Sequence, residues 1–442
     1  MELPTVATMR GLLIASIVVV PTLSFAEKPL VVWQDRVIDD GPTESLSVSR
    51  TLYLNNCMPN GCTVTPGSDN SMTNHSSIPT STVTLDAYSH GDEHWAQLVA
   101  CVRETFKPFN VQIVTEDPGA TSHFEVMIGG TSKQLKSTLD AGGVAPFISC
   151  GATRNNAISF VFAGQTSGLD YLCAAIAQEA CHIWGLDHEL NADDPMTYLD
   201  IGSSKRFQND DAQCGESSPR GCRCSTSTQN SFRYMSDTFG LNPSLTEPTL
   251  TLTKPVEGQW VKPKFPVSAV LSSELYMLDA FLAIDGAQTS QAEAGIIAFN
   301  APELAAGKHV VTVSATDAGD RTVMQTVNVN VVGACAADGS CPSGTLCLGG
   351  LCLPGAGEVG GLGSSCAESG DCITGNCASD GSDTLCTGSC DAGGSCPSGF
   401  DCQTGSNVCW PNGGGCSSGG GGTSLGFAGL GAFALAVRRR RR

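Results

Sequence analysis

The spacing of hydrophobic positions divides the chain into segments of different secondary structure. Residues 94–109 place apolar side chains three and four positions apart, which predicts an amphipathic helix. Residues 169–184 are predicted to form a second helix, and residues 230–239 a third. Runs of β-branched or aromatic residues bounded by turn residues predict strands at residues 50–54, 111–114, 124–128 and 158–162. This order of elements predicts an α/β domain in the first half of the chain.

Residues 245–333 have a different pattern, because they lack cysteine and alternate apolar with polar positions. Such runs predict short strands at residues 249–253, 277–284, 309–314 and 323–331. Pro248 and residues 306–317 resemble bacterial immunoglobulin-like domains, and the strand spacing suits a β-sandwich. No catalytic cluster is present in this segment. Its expected role is spacing or docking, with adhesion to a glycan or protein as the minor alternative.

Residues 335–409 contain twelve cysteines in three groups of four, and the sequence S-C-P-S-G occurs at both 340–344 and 395–399. Such segments have too little apolar content to fold by burial alone. Disulfides, each contributing roughly 2–4 kcal/mol, are therefore expected to stabilise them. Four cysteines allow three pairings per group, and the sequence leaves all three open. The groups are Cys335, Cys341, Cys347, Cys352; Cys366, Cys372, Cys377, Cys386; and Cys390, Cys396, Cys402, Cys409.

The amino-terminal end carries a targeting signal. Arg10 precedes the apolar run 11–20, and a small-x-small site follows at residues 24–26, so residues 1–26 are predicted to be a signal peptide. In an exported chain, the 22 cysteines are expected to form disulfides rather than thiolate metal sites.

The carboxyl-terminal residues 412–442 combine Cys416, a short apolar run at 425–437 and an arginine cluster at 438–442. This tail resembles the sorting signals of myxobacterial surface proteins. The basic cluster should stay cytoplasmic and hold the apolar run in the inner membrane during processing. The run is shorter than the ~20 residues of a spanning helix. We therefore expect transient or permanent membrane association, and a final location at the cell surface, in the outer membrane or outside the cell.

The charge balance argues against one class of partner. The formal net charge is −19 at pH 7, which disfavours binding to nucleic acid. Nine cysteines lie between Cys57 and Cys224, so one of them is expected to be unpaired within this part of the chain. Cys181 points about 100° away from His182 on a helix, so we interpret it as a packed or disulfide-bonded residue and not as a metal ligand.

The segment with the strongest chemical signal runs from Gln178 to His188 and reads Q-E-A-C-H-I-W-G-L-D-H. Residues four apart share a helix face, so Gln178 and His182 project together. Gly185 allows the chain to leave the helix, and His188 can then return to the same point. This segment resembles the metzincin zinc-peptidase motif H-E-x-x-H-x-x-G-x-x-H at every specified position except the first, where Gln178 replaces histidine.

A second feature extends the resemblance to residues 45–240. Met196 and Tyr198 follow His188 at the distance of the metzincin Met-turn. The spacing and the residue order favour different branches of the metzincins, so we assign no branch. The resemblance implies a zinc ion held by three ligands, with Glu179 as general base. It further implies that Tyr198 supports the oxyanion, that Met196 underlies the metal, and that strand 158–162 is the edge on which a substrate pairs. The implied ligands are Gln178, His182 and His188.

These observations predict a multidomain chain with an α/β metzincin-like catalytic domain, an all-β immunoglobulin-like sandwich and disulfide-rich repeats. The expected function is that of an exported, surface-displayed zinc endopeptidase acting on protein or peptide substrates. The alternative is a catalytically degenerate metzincin that serves as a surface binding or structural module. The predicted boundaries are 1–26 signal peptide, 27–244 metallopeptidase domain, 245–333 sandwich, 334–411 cysteine-rich repeats, and 412–442 glycine-rich linker, hydrophobic segment and arginine-rich tail.

Overall fold

The computed structural model describes residues 48–412, except for 137–140, 147–154 and 200–202 and the single positions 224, 294, 357, 392 and 404. The predicted signal peptide and the residues 413–442 of the predicted sorting tail lie outside the described residues. Within the described part of the chain, no helix is both long and apolar enough to cross a membrane.

A five-stranded sheet and three helices form the first domain. The sheet has the strand order β5-β1-β6-β8-β7, in which β7 runs antiparallel to β8 and the other pairs are parallel. The elements are β1 (Thr51–Asn55), β2 (Cys62–Pro66), β3 (His75–Ser76), β4 (Val83–Leu85), α1 (Asp92–Phe106), β5 (Gln112–Val114), β6 (Phe124–Ile128), β7 (Gly143–Val144), β8 (Ile158–Val161), α2 (Leu169–Ile183), β9 (Ala212–Gln213), β10 (Thr228–Gln229) and α3 (Ser231–Phe239).

One face of this sheet packs against α1 and α2. Alternate residues of β1 and β6, such as Leu52 and Val126, are fully buried in a core that also contains most of α2. The disulfide between Cys101 and Cys173 links the two helices covalently. Helix α2 is buried on nearly all sides after its first turn, which agrees with its many apolar residues, and its polar residues Gln178, Glu179 and His182 are buried with them.

The opposite face of the sheet is covered by the small sheet β3-β2-β4. Met127, Ile158 and Phe160 pack there against Val64 and Leu85. The sheet is therefore buried on both faces, as is usual for parallel strands.

The structure corrects one expectation about this sheet. The strand at residues 158–162 was expected to form the exposed edge, but β8 lies between β6 and β7 and pairs with both. Among the described residues, the edge strand on that side is β7, which consists of two residues, Gly143 and Val144. A strand this short has no periodicity, so the sequence pattern did not reveal it.

The second domain is a sandwich of two sheets with the strand orders β11-β13-β16 and β12-β18-β17-β14-β15. Its core is formed by inward-facing residues of both sheets, including Val267, Leu282 and Val313. The strands are β11 (Thr249–Lys254), β12 (Trp260–Val261), β13 (Pro266–Ser272), β14 (Met277–Ile284), β15 (Ala287–Glu293), β16 (Ile297–Asn300), β17 (Gly307–Asp317) and β18 (Thr322–Val331).

The sandwich packs directly on the first domain. Leu275 and Ala318 belong to the first domain's buried core. The backbone N–H of Asn209 donates to Tyr276 Oη at 2.6 Å, and Asn209 Nδ2 donates to the carbonyl of Ala318 at 2.9 Å. The guanidinium of Arg206 lies 4.3 Å from the centroid of the Tyr276 ring. The two domains therefore share part of one core.

The cysteine-rich region consists of three hairpins, one for each group of four cysteines. In each group the first cysteine pairs with the third and the second with the fourth, for example Cys335 with Cys347 and Cys341 with Cys352. The strands are β19 (Thr345–Leu348), β20 (Leu351–Pro354), β21 (Cys377–Ser379), β22 (Thr384–Cys386), β23 (Phe400–Gln403) and β24 (Val408–Pro411).

Candidate metal centre

Helix α2 and the turn that follows it bring the predicted ligands together. The helix ends at Ile183, and Gly185 follows with a φ of +98°, a conformation that residues with a side chain rarely adopt. A Cβ atom at position 185 would also stand 2.9 Å from Tyr234 Oη. The backbone conformation is the main reason for glycine here, because the Tyr234 hydroxyl is the end of a side chain. The reversal at Gly185 directs His188 back toward the last turn of α2.

His182 and His188 face each other through their Nε2 atoms, which lie 3.0 Å apart. Each ring uses its other nitrogen to donate a hydrogen bond: His182 Nδ1 donates to the Leu186 carbonyl at 2.8 Å, and His188 Nδ1 donates to Glu216 Oε1 at 3.2 Å. With the proton on Nδ1, each neutral ring has a lone pair on Nε2. The two lone pairs therefore point at one small region of space.

Burial keeps this pair of rings neutral. His182 and His188 are 2% and 0% exposed, respectively. Burial lowers the pKa of both imidazoles, and His188 lowers that of His182 further. Two neutral rings with converging lone pairs repel each other weakly, whereas a divalent cation between them would be stabilised by both.

Gln178 lies one helical turn before His182 and is fully buried. Its Nε2 group donates to the carbonyls of Pro195 and Thr197 at 3.1 and 3.3 Å. Because both carbonyls require a donor, the amide nitrogen must occupy this side. Gln178 Oε1 then points the other way and has no hydrogen-bond partner among the described residues. A buried amide oxygen in this state is a suitable metal ligand.

Glu179 is fully buried, and neither of its carboxylate oxygens has a hydrogen-bond partner among the described residues. Burial raises the pKa of Glu179 well above its usual range. A cation nearby would oppose this shift and favour the carboxylate.

The segment predicted to be the Met-turn lies directly beside the histidines. Met196 is fully buried, and its backbone is held from two sides: its N–H donates to Asp194 Oδ1 at 2.8 Å, and its carbonyl accepts from Glu189 N at 2.9 Å. The Tyr198 ring centroid lies 4.3 Å from that of His188. The six predicted site residues therefore lie on α2 and on the two segments that follow it; five of them are buried and Tyr198 is half-buried.

Sequence reasoning missed a charged group of residues behind His188. Arg220 donates to both carboxylate oxygens of Asp187, at 2.6 and 2.7 Å, and to Glu216 Oε1 at 2.8 Å. The hydrogen bonds from His188 and Arg220 hold the pKa of Glu216 well below its usual range, so this carboxylate is ionised. The Cys214–Cys222 disulfide closes the loop that carries Glu216 and Arg220. The short spacing of these cysteines was the only signal in the sequence.

Cys181 is confirmed as a packed residue. It is the free cysteine among the described residues, is fully buried, and lies with its sulfur 4.0 Å from that of Met235. Burial raises the pKa of its thiol well above the usual range, which disfavours the thiolate that binds metals.

The donors present fit a metal ion when Gln178 is counted as one of them. Within the described ranges, triples of His, Cys, Asp or Glu donors within 4.8 Å of one another occur only in the cysteine-rich hairpins. Those cysteines are all in disulfides, so they are not thiolate ligands. The amide oxygen of Gln178, which lies one helical turn before His182 and has no hydrogen-bond partner among the described residues, is the candidate for the third donor.

Comparison with solved structures finds distant likenesses. No family model and no curated protein matches the chain. Solved structures with similarity include the fibronectin(III)-like modules of Clostridium thermocellum CbhA, with 16% identity, 19% of this chain and 94% of that chain covered, and a TM-score of 0.18. The CARDB domain of the Pyrococcus furiosus PF1109 protein has 15% identity, with 21% of this chain and 94% of that chain covered and a TM-score of 0.16. A Jonesia denitrificans lytic polysaccharide monooxygenase has 10% identity, with 26% of this chain and 74% of that chain covered and a TM-score of 0.15. At these scores, none of them bears on the function of this chain.

Proposed function

We propose that this protein is an exported, surface-displayed zinc endopeptidase of the metzincin type, with Gln178, His182 and His188 as the metal ligands. The observation that carries the proposal is the approach of the two Nε2 atoms to 3.0 Å with their lone pairs facing each other, one helical turn after a buried amide oxygen that has no hydrogen-bond partner among the described residues. Buried polar groups are normally satisfied, so such an arrangement favours a ligand at this point. The disulfides of the described residues support export.

The strand arrangement also supports the proposal. Edge strand β7 lies against the active-site helix α2, and its residue Gly143 contacts Glu179. An extended peptide could pair with this edge by β-augmentation, which would lay its backbone beside the proposed general base. The edge at β7 takes the place of the edge that the sequence had suggested at residues 158–162.

Each site residue has a separate chemical task in this mechanism. A bound zinc ion would supply Lewis-acid polarisation and a water acidic enough to lose its proton near pH 7. Glu179 would accept a proton from the attacking water and pass it to the leaving amine. Tyr198 Oη donates a hydrogen bond to the oxygen on which negative charge develops. His182 and His188 hold their protons on Nδ1 and so keep Nε2 available as ligands.

A catalytically degenerate binding module is the second candidate, and burial favours it. Gln178, Glu179 and His188 are all 0% exposed in the described structure, whereas a peptidase must admit its substrate to these groups. The peptidase hypothesis therefore requires that the residues covering the site move away when a substrate binds.

Metal content and peptide cleavage distinguish the two candidates. The purified full-length mature chain should contain close to one zinc per molecule and cleave a denatured protein substrate such as casein. Glu179→Ala should retain the zinc and lose at least ~10²-fold in turnover, because the general base is missing. Bound zinc without cleavage of any substrate would favour the binding module, and absence of zinc would refute the metal centre.

A further inference from the structure

We propose that Glu216 is the positioning residue of His188, and that the loop closed by the Cys214–Cys222 disulfide is the device that holds it in place. This inference rests on the proposed metal centre. It assigns a function to a charged group that the motif around α2 does not include, and that lies 28 residues beyond His188 in the sequence.

The two histidines are oriented by different means. His182 Nδ1 donates to the carbonyl of Leu186, four residues away in the same turn, so local backbone geometry fixes this ring. His188 Nδ1 donates to Glu216 Oε1 at 3.2 Å, an acceptor that lies 28 residues away in the sequence. The direction of the His188 lone pair therefore depends on where Glu216 is held.

Arg220 holds Glu216 from behind. Its guanidinium forms a bidentate pair with Asp187, which immediately precedes His188, and it contacts both oxygens of Glu216 at 3.2 and 2.8 Å. Planar, bidentate contacts of this kind fix geometry as well as charge. The guanidinium of Arg220 thus holds both carboxylates around one cation.

The loop and the residue before it are also paired with the backbone at His188 and two residues after it. Gly215 N donates to the His188 carbonyl at 3.0 Å, and Leu190 N donates to the Gln213 carbonyl at 2.8 Å. Gly215 has a φ of +149°, and a Cβ atom there would stand 2.1 Å from the Ser218 carbonyl oxygen. The loop is thus tight, paired and cross-linked, which fixes the position of Glu216 relative to His188.

Such an acceptor has two physical effects on a metal-binding imidazole. It fixes the tautomer, because a proton shared with a carboxylate at Nδ1 leaves Nε2 as the ligand atom. It also raises the basicity of the ring, which strengthens the bond to the metal. Removing such a partner typically weakens metal affinity by about 10–100-fold.

The first test measures zinc affinity by chelator competition in the full-length mature chain. Glu216→Ala should weaken zinc binding by about 10–100-fold. Glu216→Gln should recover part of the loss, because its amide oxygen still accepts from Nδ1. Arg220→Met should give an intermediate loss, since Glu216 keeps its charge but not its support. Ser217→Ala, an exposed change in the same loop, is the matched control and should leave affinity unchanged.

The second test reads the His188 ring without metal and so separates this inference from the proposed function. In ¹⁵N-histidine-labelled protein, the His188 signals, assigned by their loss in His188→Asn, should show the Nδ1–H tautomer in the parent and in Glu216→Gln. In Glu216→Ala this preference should disappear while the thermal melt remains cooperative. A parent that binds no zinc would refute the proposed function alone. An unchanged tautomer in Glu216→Ala would overturn the positioning role, as would unchanged affinity in a zinc-binding parent.

Discussion

Gly143 and Glu179 are in direct contact: a Cβ atom at position 143 would stand 2.3 Å from Oε1 and 2.8 Å from Cγ of Glu179. The same atom would lie 2.8 Å from the backbone carbonyl oxygen of Phe160, which cannot easily move. Only a residue without a side chain allows the edge strand to lie this close to the carboxyl group.

The contact predicts the effect of Gly143→Ala. The added methyl group must displace the carboxyl group or the edge strand, and a misplacement of about 1 Å in a catalytic group can lower kcat/KM by about 10²-fold. Peptide cleavage and thermal melting, measured together, test this. Gly355→Ala adds the same methyl group where no atom lies within 4 Å, and it should leave both quantities unchanged. Undiminished cleavage by Gly143→Ala would show that Glu179 is not the general base.

Glu125 on β6 is predicted to make the stability of the first domain depend on pH. It is buried and accepts from Asn55 Nδ2 at 2.7 Å, and burial raises its pKa from 4.5 to about 8. Between these two values the folded state retains a proton that the unfolded state loses. The free energy of unfolding should therefore fall as the pH rises from 4.5 to 8.

Glu125→Gln should remove this part of the pH dependence, because glutamine stays neutral and still accepts from Asn55. Urea denaturation at pH 5 and pH 8 gives the comparison, and the variant should exceed the parent in stability only at the higher pH. Glu116→Gln, at an exposed position, is the control and should keep the parent's slope. Identical slopes in the parent and Glu125→Gln would contradict a raised pKa at Glu125.

The sandwich is predicted to stabilise the first domain. A fragment ending at Gly240 lacks Leu275, whose buried side chain alone contributes ~2 kcal/mol, so its melting temperature should fall by about 4 °C or more. It also loses the contacts of Asn209 with Tyr276 and Ala318. A fragment ending at Gly333 keeps them and is the reference. Equal melting temperatures of the first domain in the two fragments would show that the shared core is energetically unimportant.

The sequence predicted those parts of the fold that depend on local pattern. The apolar runs at 124–128 and 277–284 form β6 and β14 with the predicted bounds, and the predicted helices lie within three residues of α1, α2 and α3. Strand β7 was missed because its pairing with β8, and not its composition, makes it a strand.

The candidate site was predictable only where its residues are close in sequence. Gln178 to His188 lie on one helix and one turn, so their convergence follows from helical spacing. Glu216 and Arg220 reach His188 through a loop whose path depends on a disulfide and on Gly215, and no spacing rule encodes that path. The burial of the site arises in the same way, from elements that are distant in sequence.

Replacing Gln178 with histidine gives the most direct test of the metal centre. The variant supplies a third imidazole at unchanged helical spacing, and zinc favours imidazole nitrogen over a neutral amide oxygen. Zinc affinity should rise by about 10-fold or more. Even the loss of a hydrogen-bond partner of a metal ligand changes metal affinity by that much. An imidazole Nδ1–H can satisfy only one of the carbonyls of Pro195 and Thr197, so the metal-free variant should lose about 1 kcal/mol of stability.

Gln178→Ala and Glu179→Gln complete this test. Gln178→Ala removes the amide oxygen and both hydrogen bonds, so it should bind zinc more weakly than the parent, which would identify Oε1 as a ligand. Glu179→Gln in the Gln178→His background should keep the metal and abolish most cleavage, because the amide cannot accept a proton. Calorimetric zinc titration and peptide cleavage are the two measurements. Equal zinc affinity in Gln178→His, Gln178→Ala and the parent would exclude residue 178 from the ligand set. The third donor would then have to come from another residue.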